Sequence, residues 1–208
     1  MHMRLQNHTH QRGFTIIEMM ISTVVFSLIL LLVTYGILQI GRTYTKGVTE
    51  TKTQQTARAV MDAITQDIQF YKSGVVTTNS AGGKYVVCVG NNRYTAFLGQ
   101  QLIDSAPDHA LLVDYALSGG CTGAPQNQAA PFEPSTNPVE LLAPLMRVAN
   151  LSVTPRSAGL YEVHVRVVYG ENNVLINPTG IDASCQGGPI NQFCAVSDLR
   201  TIVQKRVN

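Results

Sequence analysis

Charged residues are scarce in this sequence of 208 residues. They make up 13% of it, against roughly 25% in typical soluble proteins. Lys and Arg number 15 and Asp and Glu number 13, which gives a formal net charge of +2. Because Arg4 and Arg12 lie in the first 13 residues, the rest of the chain carries equal numbers of basic and acidic side chains. This balance provides no broad positive surface, so we expect no specific nucleic-acid partner.

The sequence also lacks the short motifs that mark catalytic sites. It contains no G-x-S-x-G, no phosphate-binding loop and no H-E-x-x-H. Asp104, Asp108 and His109 lie close together, but without such a motif they are better interpreted as solvated turn residues. No C-x-x-C occurs, and neither His109 nor His164 lies near a cysteine at the spacing of zinc ligands. The sequence therefore predicts no enzyme, no cofactor and no metal site.

No Asp, Glu, Lys, Arg or His occurs between Met19 and Ile40, a run of 22 residues. At about 1.5 Å per helical residue, this run covers the roughly 30 Å hydrocarbon core of a bilayer. Proline is absent from residues 14–73, so no proline interrupts a long helix there. A secretory signal has a shorter apolar region that ends in a small-x-small cleavage site, whereas the nearest such triplet, at residues 57–59, lies well beyond the run. The run predicts a transmembrane helix.

One carboxylate, Glu18, lies at the mouth of this apolar run. A carboxylate placed in a membrane segment costs a few kcal/mol, and such residues usually serve a function and have a partner. A cut between Gly13 and Phe14 would put the new α-amine of Phe14 four residues before Glu18. Because positions i and i+4 share a helix face, the amine and the carboxylate would be placed to pair within one chain or between neighbours. Cleavage would thus create the partner of Glu18.

These residues resemble the N-terminus of the type IV prepilin family, which includes the pseudopilins of type II secretion. The resemblance is carried by Gly13, Phe14, Thr15 and Glu18, by the short polar leader before them and by the uninterrupted apolar helix after them. It implies cleavage after Gly13 by a prepilin peptidase and N-methylation of Phe14. It also implies that Glu18 guides assembly with other pilin subunits into a helical filament. This assembly would take place at an inner-membrane assembly platform and would start from the membrane-inserted chain.

We expect four segments along the chain. Residues 1–13 form a prepilin leader, 14–41 a transmembrane and assembly helix, 42–73 an amphipathic continuation of that helix and 74–208 a globular β-rich domain. The amphipathic stretch is indicated by apolar residues spaced three and four apart, namely Ala57, Val60, Met61, Ile64, Ile68 and Tyr71. The predicted fold class is α+β and pilin-like, with the long N-terminal helix packed on a C-terminal antiparallel β-sheet.

Strand and turn patterns dominate the sequence after Gly74. The expected strands are 84–89, 93–98, 110–117, 145–154, 161–169 and 195–207. The first two flank Gly-Asn-Asn and predict a hairpin, and residues 155–160 predict a second hairpin connection. Valines alternate with polar residues in 161–169, so we expect His164 on the solvent face. The polar stretch 118–138 predicts a long variable surface loop, with a ligand-binding loop as the alternative.

Four cysteines, Cys88, Cys121, Cys185 and Cys194, all follow the apolar run. An even number suits an oxidising compartment, and three pairings are possible. Closeness in sequence favours Cys185 with Cys194 and Cys88 with Cys121, each of which would close a loop and stabilise the fold by about 2–4 kcal/mol. Together with the leader, the cysteines indicate that the β-rich part lies outside the cytoplasm.

Taken together, the patterns favour a structural subunit of a type IV pilus. A minor pilin is favoured over the major subunit because the globular part is large, loop-rich and contains two possible disulfides. We expect a single-pass protein of the cytoplasmic membrane, with its C-terminal domain outside, that reaches the cell surface in the assembled pilus. Two alternatives remain open: a pseudopilin of a type II secretion system, and a membrane-anchored adhesin or binding module that never polymerises.

Overall fold

The computed structural model describes residues 13–71, 74–80, 83–103, 109–117, 121, 138–188 and 190–206. The leader residues before Gly13, most of the expected 118–138 loop, and Asp104 and Asp108 lie outside the described residues. The chain divides into two compact units, Met1–Arg42 and Thr43–Asn208.

A single helix, α1, spans Ile16–Phe70 and contains 55 residues. Its large apolar side chains between Ile16 and Ile40 are all exposed, from 48% at Leu30 to 82% at Ile16. Exposed apolar surface costs about 25 cal/mol per Å² in water, so this surface favours lipid or protein neighbours. α1 is long and apolar enough to cross a membrane. It ends at Phe70, slightly before the expected end near residue 73.

The second half of α1 is amphipathic. Its buried residues are Thr49, Thr53, Ala57, Val60, Met61, Ile64 and Ile68. They recur at spacings of three and four, and the apolar members pack in one core with sheet residues such as Val87, Val148 and Val165. The α+β fold class is therefore confirmed: a long N-terminal helix packs against antiparallel sheet, in the pilin-like arrangement.

The described residues contain ten strands in three antiparallel sheets. The strands are β1 Val75–Ser80, β2 Lys84–Val89, β3 Asn92–Phe97, β4 Leu111–Asp114, β5 Val139–Glu140, β6 Met146–Ser157, β7 Leu160–Tyr169, β8 Leu175–Ile176, β9 Ser184–Cys185 and β10 Ala195–Gln204. The sheet orders are β1-β2-β3-β4-β5, β10-β7-β6 and β8-β9. Gly99 N donates to Val148 O at 2.8 Å and Leu102 N to Met146 O at 2.9 Å, so the chain after β3 joins the first sheet to β6.

Both expected hairpins occur, but their turns differ from the prediction. β2 and β3 meet at Gly90 and Asn91, where Gly90 has a φ of 61°, so β3 begins one residue earlier than expected. β6 and β7 meet at Ala158 and Gly159 because β6 continues through Pro155. The ladder between them shifts near Pro155, where a residue without an N–H cannot donate to the sheet. Strands β1, β5, β8 and β9 have no counterpart in the sequence prediction.

The prediction that His164 faces solvent was wrong, since this side chain is only 9% exposed. Its Nε2 lies 2.6 Å from Asp198 Oδ1 on β10, and its Nδ1 lies 3.3 Å from Asn150 Nδ2 on β6. Arg166 on the same face of β7 donates to Asp198 Oδ2 and to Ala183 O. The alternation along β7 put His164 on the correct face of the strand. It could not show that β6, β10 and the segment that contains Ala183 cover this face.

Two disulfides join elements of the β-rich unit. Cys88 in β2 bonds Cys121, which follows β4, and Cys185 in β9 bonds Cys194, which precedes β10. The Cα atoms are 5.6 Å and 5.7 Å apart, which lies near the usual separation of about 5.5–6 Å. Cys88 and Cys194 are almost fully buried. Cys121 and Cys185 are half-buried, so each bridge joins a buried cysteine to one nearer the surface.

Candidate functional site

The candidate site is the start of α1, where Thr15 and Glu18 close a reciprocal cap. The Thr15 backbone N–H donates to Glu18 Oε2 at 2.9 Å, and the Thr15 hydroxyl donates to the same oxygen at 2.8 Å. In return, the Glu18 N–H donates to Thr15 Oγ1 at 3.3 Å. This is a capping box, in which the residue before the helix and the third helical residue satisfy each other's free groups. Glu18 thus has hydrogen-bond donors in the uncut chain.

Sequence reasoning missed this cap and assigned Glu18 a partner only after cleavage. The signal was present, because Thr15 and Glu18 have the S/T-x-x-E spacing directly before a long apolar run. The Thr15 donors are neutral, so they satisfy the carboxylate without cancelling its charge. The acidic residue in the first helical turn also lies at the positive end of the helix dipole, which favours its anionic form.

The bond between Gly13 and Phe14 lies in the short non-helical stretch before α1. Phe14 is 79% exposed, so the described residues leave most of its side chain uncovered. A Cβ built on Gly13 would meet no atom within 4 Å, so the packing of the chain itself does not require glycine there. A requirement for glycine at this position would therefore come from an external partner that reads the segment.

Two hydroxyl side chains within the apolar run are satisfied inside the helix. Thr23 Oγ1 donates to Met20 O at 2.9 Å, and Ser27 Oγ donates to Thr23 O at 2.8 Å. Such bonds to carbonyls three and four residues earlier leave these hydroxyls paired without water. Neither hydroxyl therefore opposes placing the run in hydrocarbon, and Glu18 is the one charged side chain between Phe14 and Ile40.

A comparison with protein families finds one match at this N-terminus. The family described as prokaryotic N-terminal methylation motif matches residues 8–34. Residues 8–34 carry the type IV prepilin signature. The signature covers the end of the leader, the capping box and most of the apolar run. No curated protein and no solved structure matches the chain.

The prepilin signature implies processing by prepilin peptidase and assembly with other pilins, and its family consists of structural subunits. With the apolar start of α1, it also indicates membrane anchoring. Gly13, Phe14 and Glu18 lie within six residues of one another, so the positions expected to serve processing and assembly form one continuous segment. The four cysteines belong to the other unit and take no part in this segment.

Of Asp104, Asp108 and His109, only His109 is among the described residues, and it lies beside a partly buried carboxylate. His109 Nδ1 lies 3.4 Å from Glu140 Oε2, and the Glu140 carboxylate accepts the backbone N–H groups of Ala110, Leu111 and Leu142 at 2.9–3.0 Å. Burial outweighs these bonds and raises the pKa of Glu140. The carboxylate therefore ties strand β5 to β4. Within the described part of the chain, no cluster of three His, Cys, Asp or Glu side chains could hold a metal ion.

Proposed function

We propose that this chain is a minor pilin, a non-catalytic structural subunit of a type IV pilus. A prepilin peptidase cleaves it after Gly13, Phe14 is N-methylated, and Glu18 directs its incorporation among other pilin subunits at the inner-membrane assembly platform. Before assembly, residues 14–41 cross the cytoplasmic membrane once and the β-rich unit lies outside. After assembly, the same helix lies in the filament core and the β-rich unit on the filament surface.

The observation that carries this proposal is an acidic helix cap at the mouth of an exposed apolar helix. Glu18 is held by Thr15 where α1 begins, and every large apolar side chain from Ile16 to Ile40 is exposed. A plain anchor needs the apolar surface but gains nothing from a carboxylate, which costs a few kcal/mol in a membrane. A subunit that passes from lipid into a bundle of neighbouring helices uses both the apolar surface and the carboxylate. The carboxylate supplies a directional contact for the α-amine that cleavage produces.

Assignment to a minor rather than a major pilin is supported by the β-rich unit. It contains ten strands among the described residues and two disulfides. Disulfides persist in oxidising compartments, which agrees with a β-rich unit outside the cytoplasm. A large surface domain with several short sheets suits a specialised subunit that is present in few copies.

Mass spectrometry of the chain's N-terminus tests the processing step. We expect chain produced in cells with a prepilin peptidase to begin at Phe14 and to carry one methyl group on its α-amine. The matched control is a Gly13→Ala variant, which should keep its leader. Packing of the chain gives no reason for glycine at this position, so the requirement for it would come from the peptidase. Wild-type chain that retains its leader in such cells would refute the proposal.

A second experiment separates assembly from anchoring. We expect Glu18→Ala to remain in the membrane fraction but to lose at least about tenfold of its incorporation into sheared filaments, since a charge-assisted contact is worth about 1.5–3 kcal/mol. Glu50→Ala is the control, because Glu50 is an exposed acid of the same helix whose Oε1 lies 3.7 Å from Lys46 Nζ. Equal incorporation of Glu18→Ala and Glu50→Ala would favour a membrane-anchored module that does not polymerise.

A further inference from the structure

Strand β10, Ala195–Gln204, forms one edge of the sheet β10-β7-β6. One side of this strand pairs with β7 over all ten residues. On its other side, none of the described residues forms a hydrogen bond with the β10 backbone. A free edge of this length is a template for a further strand, unless its side chains prevent the pairing. The side chains of β10 therefore decide what this edge can bind.

The sequence of β10 is nearly complementary to itself. If two copies of the strand run antiparallel with Leu199 of one opposite Leu199 of the other, residues at equal distances on either side of Leu199 face each other. These pairs are Asp198 with Arg200, Ser197 with Thr201, Val196 with Ile202 and Ala195 with Val203. Opposite charges, paired hydroxyls and paired β-branched side chains are combinations that stabilise antiparallel strands. No pair in this register is unfavourable.

The charges of β10 select this register. Asp198 and Arg200 lie two positions apart, so they project from the same, exposed face of the strand. In the register centred on Leu199, Asp198 of each copy faces Arg200 of the other. A shift by two residues in either direction would instead place Asp198 opposite Asp198 or Arg200 opposite Arg200. A shift by one residue would turn the buried face of one copy toward the exposed face of the other.

Both charged groups can make this contact. Arg200 is exposed and has no ion pair with any described residue. Asp198 is exposed as well. Its two oxygens already contact His164 and Arg166, but a carboxylate has about four acceptor sites. Ile202 is 66% exposed, so the pairing would also remove apolar surface from water.

We propose that β10 pairs with β10 of a second copy of this chain in the register centred on Leu199. The pairing joins the two three-stranded sheets into one sheet of six strands. Its two-fold axis is normal to the sheet, so the amphipathic halves of the two α1 helices, which pack on the sheet, run in opposite directions. The second copy is therefore oppositely oriented, rather than anchored in parallel beside the first in one membrane. The pairing concerns the β-rich unit and does not depend on the proposed function.

Cysteine cross-linking of the full chain in detergent micelles tests the register. Leu199→Cys places a thiol opposite its own counterpart, with Cα atoms about 4.5–5.5 Å apart, which a disulfide can bridge. Thr201→Cys is the matched control, because its counterpart lies four residues away along the strand, about 13 Å. On mild oxidation we expect at least about ten times more linked dimer from Leu199→Cys, since Cα atoms beyond about 7 Å are not bridged. Peptide mapping checks that the two native bridges stay intact.

Charge variants in the Leu199→Cys background test the contact between the two copies. Arg200→Glu puts like charges opposite each other on both sides of Leu199 and should lower the linked dimer by about tenfold. Arg58→Glu makes the same charge change at an exposed position of α1 and should leave the linked dimer unchanged. A mixture of Arg200→Glu chain with Asp198→Arg chain restores both opposite-charge contacts, so mixed dimers should exceed either dimer of identical chains.

Three outcomes would overturn the proposal. One is equal cross-linking of Leu199→Cys and Thr201→Cys, and another is cross-linking that Arg200→Glu does not reduce. The third is a Leu199→Cys chain that stays unlinked, which would mean that the edge remains free or takes a strand of a different protein. If Leu199→Cys does not fold, sedimentation of the wild-type and Arg200→Glu chains in micelles decides, and equal self-association of the two overturns the proposal.

Discussion

The buried ion pair of the first sheet offers the sharpest prediction about stability. Arg93 on β3 and Asp114 on β4 face each other in the ladder, and Arg93 Nε donates to Asp114 Oδ2 at 2.9 Å. Their side chains are 4% and 0% exposed, and the next ladder pair on the same face, Thr95 and Leu112, is fully buried. Replacing Asp114 by Asn keeps the shape and one acceptor but removes the charge that balances Arg93.

The expected loss follows from this burial. An ion pair that loses one partner in the interior typically costs about 3–5 kcal/mol, because the charge that stays loses the attraction of its partner and regains no water. A domain usually has a free energy of unfolding of about 5–15 kcal/mol, so Asp114→Asn should remove about a fifth of it or more. Exposed pairs behave differently and contribute about 0–1 kcal/mol. Glu50→Gln, which breaks the exposed pair of Lys46 and Glu50, is therefore the matched control.

Urea unfolding of the full chain in micelles, followed by tyrosine fluorescence, measures both effects. The chain contains no Trp and 8 Tyr, and Tyr85 and Tyr94 are buried in the unit that unfolds. A double variant, Arg93→Met with Asp114→Leu, should lose at least about 2 kcal/mol less than the sum of its two single changes, since it leaves no unpaired charge. A loss below about 1 kcal/mol for Asp114→Asn, or additive single effects, would refute the reasoning.

Two smaller changes test other parts of the same unit. Gly47→Ala should stabilise α1 by about 1 kcal/mol in the same urea assay, because a Cβ at Gly47 meets no atom within 4 Å and Ala is the better helix former; no change or a loss would contradict this. Burial alone would raise the pKa of Asp198, but its bonds to His164 and Arg166 outweigh burial and keep that pKa below the ordinary value of 3.8. A depressed carboxyl pKa stabilises the fold above its unfolded-state value and loses that contribution as pH falls through the folded-state value. Wild-type chain should therefore lose more stability than Asp198→Asn on acidification from about pH 6 to about pH 3, and parallel losses would count against this assignment.

Much of the fold could be predicted because its main signals are local. The uncharged run from Met19 to Ile40 and the spacing of Val60, Ile64 and Ile68 each follow from one helical period. The strands of the two long hairpins could be predicted for the same reason, since alternation and turn residues lie within about ten positions. The turn after Pro155 could not be placed, because the register shift that accommodates this proline depends on β7.

The features that sequence reasoning missed depend on partners far apart in the chain. His164 is covered by residues 14 and 34 positions away, and Asp67 bonds side chains 25 and 27 positions away. An acid on an amphipathic helix is ordinarily a solvated residue, so only the three-dimensional arrangement shows that Asp67 meets Tyr94. The capping box is the exception. Thr15 and Glu18 are three positions apart, so their S/T-x-x-E spacing could have been recognised in the sequence.

The capping box also changes what cleavage contributes under the proposed function. In the uncut chain, Glu18 Oε2 already accepts two bonds from Thr15, so the carboxylate does not wait for its first hydrogen-bond donor. Both donors are neutral, however, and a carboxylate with neutral donors keeps its full charge at the mouth of an apolar helix. The α-amine of Phe14 would supply the opposite charge four residues before Glu18. Cleavage then acts chiefly by neutralising the segment, which lowers the cost of moving it among apolar neighbours. Under the proposed function, Thr15 holds the Glu18 carboxylate in place in the precursor. The α-amine of Phe14 then neutralises this carboxylate, so that it can be buried among apolar neighbours.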